Sequence, residues 1–179
     1  MKVLTVLGIT GYSGVGKSTT AEYLVRNYGF TRIAFADSLK KMLVKAEILR
    51  PVDIIKKPTH ARWLLQRIGT DLVRNQIDKD FWVKKTLASI GELIQAGVKF
   101  IVIDDVRFPN EVELVRLFGG KIIKIIRRQI GQNLEHESEA YIESIEADYL
   151  VDNNATPSNL YKQIDDIVTL LKNKEVLCD

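Results

Sequence analysis

Short apolar runs recur along the chain and are separated by longer amphipathic stretches. The first run, Val3 to Thr10, consists mostly of β-branched and aliphatic residues, which is typical of a strand buried on both faces of a parallel sheet. Further strands are predicted at Thr31 to Phe35, Lys99 to Ile103, Lys121 to Ile126 and Tyr149 to Val151. The first run continues into a Gly-rich motif rather than a small-residue cleavage site, so it is predicted to be a strand and not a signal peptide.

Helical signals fill most of the segments between these strands. A helix is predicted from Lys17 to Tyr28, because Gly29 stands in the position that commonly ends helices. Further helices are predicted from Asp37 or Ser38 to Leu49, His60 to Ile77, Lys79 to Ala96, Pro109 to Phe118 and Leu160 to Leu171. The segment from Pro51 to Pro58 is predicted to be a mobile loop. Strands alternating with helices indicate a three-layer α/β fold with a parallel five-stranded sheet.

Composition narrows the class of protein. The 179 residues, 46% hydrophobic and 27% charged, predict one globular domain over residues 1–179. A net charge of +3 gives no reason to expect a nucleic-acid polymer or a membrane as a partner. Cys178 is the only cysteine, which excludes a disulfide framework within the chain and favours a reducing, cytoplasmic location.

The Gly-rich motif after the first strand carries the strongest chemical signal. Residues 11–18 read GYSGVGKS and fit the pattern G-x-x-x-x-G-K-[ST], with a predicted strand before them and a predicted helix after them. In such a loop, backbone N–H groups surround the phosphates of a nucleotide, and the lysine reaches the β- and γ-phosphate oxygens. The sequence therefore predicts an ATP site at Gly11, Ser13, Gly14, Val15, Gly16, Lys17, Ser18 and Thr19, with Ser18 as a ligand of Mg²⁺.

A second anchor for the metal ion is expected at the end of another strand. Asp104 and Asp105 follow the apolar run Phe100 to Ile103 directly, and both are candidates. Periodicity does not choose between them, and the other member of the pair is expected to cap the following turn.

The order of the remaining segments is typical of kinases that act on small molecules. A guanine-reading N-K-x-D pattern, common in GTPases, is absent from the sequence. Two consecutive helices precede the strand that ends at Asp104, and an arginine-bearing segment follows later. We interpret residues 37–97 as an acceptor-binding helical region and residues 127–147 as a short lid.

The first of the two consecutive helices has one apolar and one polar face. At 100° per residue, one arc carries Leu64, Leu65, Ile68 and Leu72. The opposite arc carries Gln66, Arg67, Thr70 and Arg74, with Arg62 beside it. The polar arc is either a site for an anion or an ordinary solvated helix face.

The predicted lid begins with Arg127 and Arg128, directly after the fourth strand. Arginines at this position suit the neutralisation of charge on a transferring phosphoryl group, although such a pair is also common on ordinary surfaces. His136 and Glu139 follow in the segment His136-Glu-Ser-Glu139. One histidine with glutamates makes a weak case for a zinc site.

Several of these segments match the motifs of one kinase family. The most specific is Leu64-Leu-Gln-Arg-Ile-Gly-Thr-Asp71 with Trp82-Val83 after it, where the family has Leu-x-Gln-x-x-Gly-Thr-Asp and a following Trp-Val. The segments Asp105-Val-Arg107, His136-Glu-Ser-Glu139 and Asp148-Tyr-Leu-Val-Asp-Asn153 also match. Over nearly its whole length the sequence resembles the phage-type deoxynucleoside monophosphate kinases.

This resemblance implies a set of site residues. It favours Asp105 over Asp104 as the metal-side carboxylate and Arg127 over Arg128 in the lid. Together with the Gly-rich motif and the arginines after the fourth strand, this gives Lys17, Arg127, Arg128 and Asp105 as the predicted catalytic residues. The residues that it implies for substrate binding are Asp37, Lys40, Arg62, Gln66, Gly69, Thr70, Arg74, Trp82, Arg107, Glu111, His136 and Glu139.

The activity implied is transfer of the γ-phosphoryl group of ATP, with Mg²⁺, to a deoxynucleoside monophosphate. Two alternatives stay open at this stage. One is a kinase for another phosphorylated small molecule, since animal-type phosphomevalonate kinase looks like a distant relative. The other is a nucleotide-binding regulator that hydrolyses ATP slowly and acts through a partner. Whether the protein is a monomer or a homodimer is also open.

Overall fold

The computed structural model describes residues 4–128 and 140–176, with only the backbone described at 174–176. Its centre is a five-stranded sheet in which every pair of neighbouring strands is parallel, in the order β2-β3-β1-β4-β5. The strands are β1 (Thr5–Thr10), β2 (Thr31–Ile33), β3 (Phe100–Ile103), β4 (Lys121–Ile126) and β5 (Tyr149–Asp152). The predicted α/β class and the parallel five-stranded sheet are confirmed.

Helices cover both faces of the sheet. They are α1 (Lys17–Tyr28), α2 (Asp37–Lys45), α3 (Pro51–Lys56), α4 (Thr59–Gln66), a π-helical segment (Arg67–Ile77), α5 (Phe81–Gln95), α6 (Pro109–Leu117) and α7 (Pro157–Val176). No helix in the described ranges has the length and apolar character needed to span a bilayer.

The core lies on both faces of the sheet because neighbouring residues of each strand point in opposite directions. On one face, Leu7 of β1 and Ile123 of β4 pack against α1 and α7 through residues such as Leu24. On the other face, Val6 and Ile122 pack against α5 and α6. Each buried side chain of this size contributes about 1.5–3 kcal/mol to folding. Because helices cover both faces of the sheet, residues pointing in either direction are buried, which explains why the strands are mostly apolar.

The segment predicted as a mobile loop is mostly a helix. Pro51 is the first residue of α3, where its missing N–H and fixed φ suit a helix start. The Asp53 carboxylate accepts a hydrogen bond from the Arg50 backbone N–H at 3.0 Å and closes this end. Lys57, at φ 49°, ends the helix before Pro58. The prediction was wrong because proline begins helices as well as marking loops.

The predicted helix from His60 to Ile77 is α-helical only as far as Gln66 and π-helical after it. A π-helix bonds residue i to i+5, so faces predicted at 100° per residue lose their phase beyond that point. Leu64, Leu65 and Ile68, placed on the apolar arc, pack against α2. Leu72, placed on the apolar arc, is 46% exposed, whereas Thr70, placed on the polar arc, is only 7% exposed. The predicted faces are therefore wrong for these two residues.

Four segments with candidate site residues lie at the carboxyl edge of the sheet. The Gly-rich loop follows β1, Asp104 and Asp105 follow β3, Arg127 follows β4, and Asn153 follows β5. In open parallel sheets this edge is the place where ligands bind. The fold therefore brings together residues that are far apart in the sequence.

Candidate active site

The Gly-rich loop has a shape that requires glycine at two positions. Gly11 has a φ of 137°, and a Cβ added there would lie 2.5 Å from the Ile125 carbonyl oxygen. Gly16 has a φ of 111°, and a Cβ there would lie 2.5 Å from Nδ2 of Asn153. Both positions combine a left-handed backbone with close neighbours, so a side chain would deform the loop.

The loop leads directly into α1, whose start has the features of an anion site. Among the described residues, no side chain caps this helix end, which leaves its first-turn N–H groups facing the loop. Lys17 Nζ donates to the carbonyl oxygens of Gly11 at 2.5 Å and Tyr12 at 2.7 Å. Of the other predicted ATP-binding residues, Val15 is buried, and four are exposed to solvent: Ser13, Gly14, Ser18 and Thr19.

Asn153 holds the loop from the end of β5, a role that the sequence did not reveal. Its Nδ2 donates to the Val15 carbonyl oxygen at 2.8 Å. Its own backbone N–H donates to the Ile126 carbonyl oxygen at 2.9 Å. The available signal was a polar residue directly after a strand, within a segment that matches the family, but nothing in the sequence indicates which loop it contacts.

Asp105 joins the end of β3 to the start of α2. Its two carboxylate oxygens accept hydrogen bonds from the backbone N–H groups of Phe35 at 2.8 Å and Ala36 at 3.1 Å. Burial raises the pKa of Asp105, and the neighbouring Asp104 raises it further, while Lys40 and the two N–H donors act in the opposite direction. Each oxygen keeps a further acceptor site, because an ionised carboxylate has about four lone-pair positions.

Asp104 has a different environment, because its partner is an arginine. Nη2 and Nε of Arg32 donate to the same Asp104 oxygen at 2.7 Å and 3.0 Å, and the carboxylate is only 6% exposed. The Nη1 atom of Arg32 also contacts both oxygens of Asp37 at 3.2 Å. Asp104 is thus neutralised by a cation, whereas Asp105 is held by backbone donors.

Arg74 connects the π-helical segment to the start of α6. Its Nη1 donates to Oδ1 of Asn110 at 3.0 Å and to the Lys79 carbonyl oxygen at 2.9 Å. The guanidinium lies 3.7 Å from the centroid of the Phe108 ring, a cation–π contact. The predicted acceptor segment and the segment after Asp105 are therefore in direct contact.

Glu111 is a buried carboxyl that caps α6. One of its oxygens accepts hydrogen bonds from the backbone N–H groups of Arg107 at 2.6 Å and Phe108 at 3.1 Å. Burial and the nearby Asp105 raise the pKa of Glu111 to about 8, against the opposing effect of these donors and Arg74. The side chain is only 6% exposed.

This raised pKa predicts a change of stability with pH. The folded chain keeps a proton on Glu111 up to about pH 8, whereas the unfolded chain releases it near pH 4.5. The contribution of Glu111 to the free energy of unfolding should therefore fall as the pH rises between these values. The side chain in Glu111→Gln cannot titrate. Between pH 5.5 and pH 8.5 the free energy of unfolding of this variant should therefore fall by at least ~1 kcal/mol less than that of the parent, since one pKa unit corresponds to about 1.4 kcal/mol. Urea unfolding at the two pH values measures this difference.

The matched control for this experiment is Glu113→Gln, which alters an exposed carboxyl on the same helix. This variant should keep the pH dependence of the parent. If Glu111→Gln lost as much stability as the parent over the same range, the raised pKa of Glu111 would be contradicted.

Three of the residues predicted to bind substrate make contacts inside the helical region. Nε1 of Trp82 donates to the Gly69 carbonyl oxygen at 2.8 Å. A Cβ added to Gly69 would lie 2.9 Å from Cδ2 of Leu39, so this glycine allows close packing of the π-helical segment on α2. Thr70 is buried beside it. These contacts fix the shape of the region, and direct contact with the substrate stays a prediction.

Other predicted substrate residues lie around the start of α2 and along α4. Lys40 Nζ lies 3.5 Å from Oδ1 of Asp37. Nε of Arg62 donates to the Lys57 carbonyl oxygen at 3.0 Å. Gln66 is half-buried at the last position of α4. Contact of these side chains with a substrate also stays a prediction.

The predicted lid is described only at its two ends. Arg127 and Arg128 are exposed directly after β4, and the Arg128 backbone N–H donates to Oδ1 of Asn154 at 2.7 Å. At the other end, Glu143 accepts a hydrogen bond from the Tyr12 hydroxyl at 2.8 Å, which joins this segment to the Gly-rich loop. The predicted site residues His136 and Glu139 lie outside the described residues.

Solved structures with a similar fold include several kinases. The chain is similar to TT1252 from Thermus thermophilus (TM-score 0.57, 18% identity, covering 94% of this chain and 98% of that one). It is also similar to a gluconokinase from Sinorhizobium meliloti 1021 (TM-score 0.54, 14% identity, covering all of both chains). A dephospho-CoA kinase from Campylobacter jejuni has a TM-score of 0.50 at 16% identity, over 96% of this chain and 100% of that one. At such identities the likeness shows the fold alone.

Sequence relatives define the family. A protein of Acanthamoeba polyphaga mimivirus, provisionally named deoxynucleotide monophosphate kinase, is 32% identical over 182 residues, which cover 90% of this chain and 94% of that protein. The deoxynucleotide monophosphate kinase of Escherichia phage RB69 is 30% identical over 60% of this chain and 44% of its own length. That of Enterobacteria phage T4 is 25% identical over 67% of this chain and 50% of its own length. The match to this chain thus spans about half the length of each phage protein.

The family model for deoxynucleotide monophosphate kinase matches residues 46–164, well over half of the chain. This range contains the π-helical segment, Asp105, Arg127 and Asn153, while the Gly-rich loop precedes it. With that loop at the carboxyl edge of a parallel sheet, the chain is a P-loop kinase that belongs to the deoxynucleotide monophosphate kinase family.

Proposed function

We propose that this chain transfers the γ-phosphoryl group of ATP to the phosphate of a deoxynucleoside monophosphate, which gives ADP and a deoxynucleoside diphosphate. The observation that carries the proposal is the placement of two kinds of site at one edge of the sheet. The Gly-rich loop and the uncapped start of α1 suit the phosphates of ATP. Arg74 donates a hydrogen bond to Asn110, in the segment that follows Asp105, and this contact supports an acceptor site next to the ATP phosphates.

The chemistry requires little from the protein beyond position and charge. The acceptor is a phosphate oxygen that is already anionic near neutral pH, so no strong general base is needed. Catalysis then depends on holding donor and acceptor in line and on neutralising charge on the phosphoryl group. Lys17 supplies one positive charge at the loop, and Arg127 and Arg128 supply two more at the end of β4. A lid that excludes water would suppress hydrolysis of ATP.

The residues present suit Mg²⁺ at this site. Mg²⁺ keeps several waters and is usually bound by one or two carboxylates together with substrate phosphates, so a sparse set of ligands is sufficient. Ser18, exposed at the start of α1, and Asp105, whose oxygens each retain an acceptor position, would hold it. When bound, the ion neutralises charge on the β- and γ-phosphate oxygens.

Acceptor profiling tests the proposal. ATP consumption is measured by a coupled assay with the deoxynucleoside monophosphates, the ribonucleoside monophosphates, phosphomevalonate and no acceptor. We expect at least one deoxynucleoside monophosphate to raise ATP consumption ~100-fold or more above the rate without acceptor, because water exclusion suppresses hydrolysis. Turnover with phosphomevalonate alone would point to a different acceptor, and ATP consumption that no acceptor changes would point to a regulatory ATPase.

Gln66 and Arg74 are expected to act on the acceptor rather than on ATP. A charge-assisted contact to a phosphate contributes ~1.5–3 kcal/mol, so Gln66→Ala and Arg74→Ala should each lower kcat/KM for the acceptor about ten- to hundredfold. The KM for ATP should stay within about twofold of the parent. Steady-state kinetics with each substrate varied in turn measures both values.

The matched control is Arg67→Ala, which removes an exposed arginine of the π-helical segment that pairs with Asp71. Exposed pairs of this kind contribute little, so this variant should resemble the parent. Variants of Gln66 and Arg74 that changed only the apparent affinity for ATP would show that the acceptor site has been placed wrongly.

A further inference from the structure

Positive charge is concentrated in one part of the chain. Residues 32–62 contain eight basic and three acidic residues, which leaves 18 basic and 20 acidic residues in the rest of the sequence. This segment runs from β2 through α2 and α3 into α4. The small net charge of the whole chain therefore includes a basic region that overlaps the predicted acceptor-binding region, residues 37–97.

Cations of this region converge at the start of α2. Arg32 contacts both Asp37 and Asp104, and Lys40 shares the Asp37 carboxylate with it. Arg62, in α4, donates to the carbonyl oxygen of Lys57, and the Lys57 side chain interacts electrostatically with Lys40, Arg32 and Arg62. We call Arg32, Lys40, Lys57 and Arg62 the cationic cluster.

Lys57 has an unusual backbone conformation in this cluster. Its φ of 49° is left-handed, which is uncommon for a residue other than glycine. The conformation is held at both ends, because the Lys57 N–H donates to the Asp53 carbonyl oxygen at 3.0 Å while its own carbonyl accepts from Arg62. Such conformations cost energy, and they are common at sites that bind ligands.

The side chain of Lys57 lies within the field of the other cations. Burial lowers its pKa, and Lys40 lowers it next, followed by Arg32 and Arg62, whereas Asp104 acts in the opposite direction. Like charges so placed repel one another unless an anion lies among them. Asp37 and Asp104 contact two of the four cations, Arg32 and Lys40. Among the described residues Lys57 and Arg62 form no ion pair, so two positive charges of the cluster have no contacting carboxylate.

A groove adjoins the cluster and is lined by its member Lys40 and by Asp37, which contacts Arg32 and Lys40. Its volume is about 440 Å³, and Val44, Pro51 and Ile54 give it an apolar wall. Sites for small ligands typically have volumes of ~300–1,000 Å³ and combine apolar walls with a few polar groups. The groove and the cluster together suit a molecule with an apolar part and a doubly charged anionic end.

We propose that Lys57, with Lys40 and Arg62, binds the phosphate group of the monophosphate acceptor. This inference rests on the proposed function and adds to it a residue that no sequence motif singles out. A phosphate monoester carries a charge of about −1.5 to −2 at pH 7, which matches the two unbalanced positive charges of the cluster. Lys57 then distinguishes a phosphorylated acceptor from the free nucleoside.

The test compares ligands with and without the phosphate. Isothermal titration calorimetry gives the dissociation constants of a deoxynucleoside monophosphate and of the corresponding deoxynucleoside. In Lys57→Asn, the preference for the phosphorylated ligand should fall at least ~10-fold, as expected for loss of a charge-assisted contact. Asn tolerates the left-handed conformation, so the backbone is preserved. The dissociation constant of ATP should stay within about twofold.

Two variants serve as controls. Lys56→Asn removes the neighbouring exposed lysine at the end of α3 and should resemble the parent. Lys57→Arg keeps the charge and should retain most of the preference for the phosphorylated ligand. A Lys57→Arg variant as defective as Lys57→Asn, or equal behaviour of Lys57→Asn and Lys56→Asn, would overturn the proposal.

Titration with inorganic phosphate separates this inference from the proposed function. If no deoxynucleoside monophosphate supports turnover by the parent, the proposed function fails. The cluster is still supported if inorganic phosphate binds to the parent and binds at least ~10-fold more weakly to Lys57→Asn. If turnover is normal but neither phosphate ligand distinguishes Lys57→Asn from Lys56→Asn, the proposed function stands and the phosphate site at Lys57 is refuted.

Discussion

Replacing Lys17 with alanine should abolish phosphoryl transfer while the protein still folds. Lys17 Nζ contacts the carbonyl oxygens of Gly11 and Tyr12 at the Gly-rich loop, and its side chain is not part of the apolar core. Loss of its charge at the β- and γ-phosphates should lower kcat by ~10³-fold or more, a larger effect than the ~10²–10³ typical of one neutral donor in a catalytic site. The measurement is kcat at saturating ATP and acceptor.

Thermal unfolding shows whether the Lys17→Ala variant is folded. Its midpoint should lie within a few degrees of the parent, since most surface substitutions change the free energy of unfolding by less than ~0.5 kcal/mol. Lys162→Ala, which removes an exposed lysine of α7, is the control and should keep full activity. Turnover close to that of the parent by a well-folded Lys17→Ala variant would refute the assignment of the ATP site.

Replacing Arg127 with alanine should lower kcat by at least ~100-fold. Arg127 follows β4 directly, next to the loop that follows β1 in the sheet, and it is exposed to solvent. An arginine that engages the phosphoryl group mainly in the transition state changes kcat more than it changes binding of the substrates. Arginines in this role account for ~10³–10⁵ in rate, so a loss of ~100-fold is a conservative expectation.

Two further variants define the role of this arginine. Arg127→Lys should recover little activity, because an ammonium group does not span two phosphate oxygens as a planar guanidinium does. Arg128→Ala should have a smaller effect than Arg127→Ala, since the family resemblance favours Arg127. A kcat near that of the parent in all three variants would show that this segment is not the catalytic lid.

The sequence predicted the parts of the fold that depend on local signals. Helix α1 and strand β4 have the predicted bounds, because Gly29 marks the end of the first and four isoleucines between Gly120 and Arg127 mark the second. The Gly-rich loop was predictable for a similar reason, since its glycines meet local demands of φ at Gly11 and Gly16. Signals of this kind need no knowledge of distant residues.

Features that depend on tertiary contacts were not predictable. The change from α- to π-helix after Gln66 cannot be recognised in the pattern of apolar residues. Within the π-helical segment, the Gly69 carbonyl oxygen accepts a hydrogen bond from Trp82, which lies in the next helix. The contact of Arg32 with Asp104 joins residues 72 positions apart, and that of Asn153 with Val15 joins residues 138 positions apart. Both pairs meet only because parallel strands bring their carboxyl ends to one edge of the sheet.

Phosphoryl transfer by this protein can be followed with a labelled phosphate. The protein is incubated with Mg²⁺, ATP labelled in the γ-phosphate and a deoxynucleoside monophosphate, and the products are separated. We expect the label to appear in the β-phosphate of the deoxynucleoside diphosphate, with one ADP formed for each diphosphate. Label released only as inorganic phosphate, or diphosphate formed equally well by Lys17→Ala, would contradict this expectation.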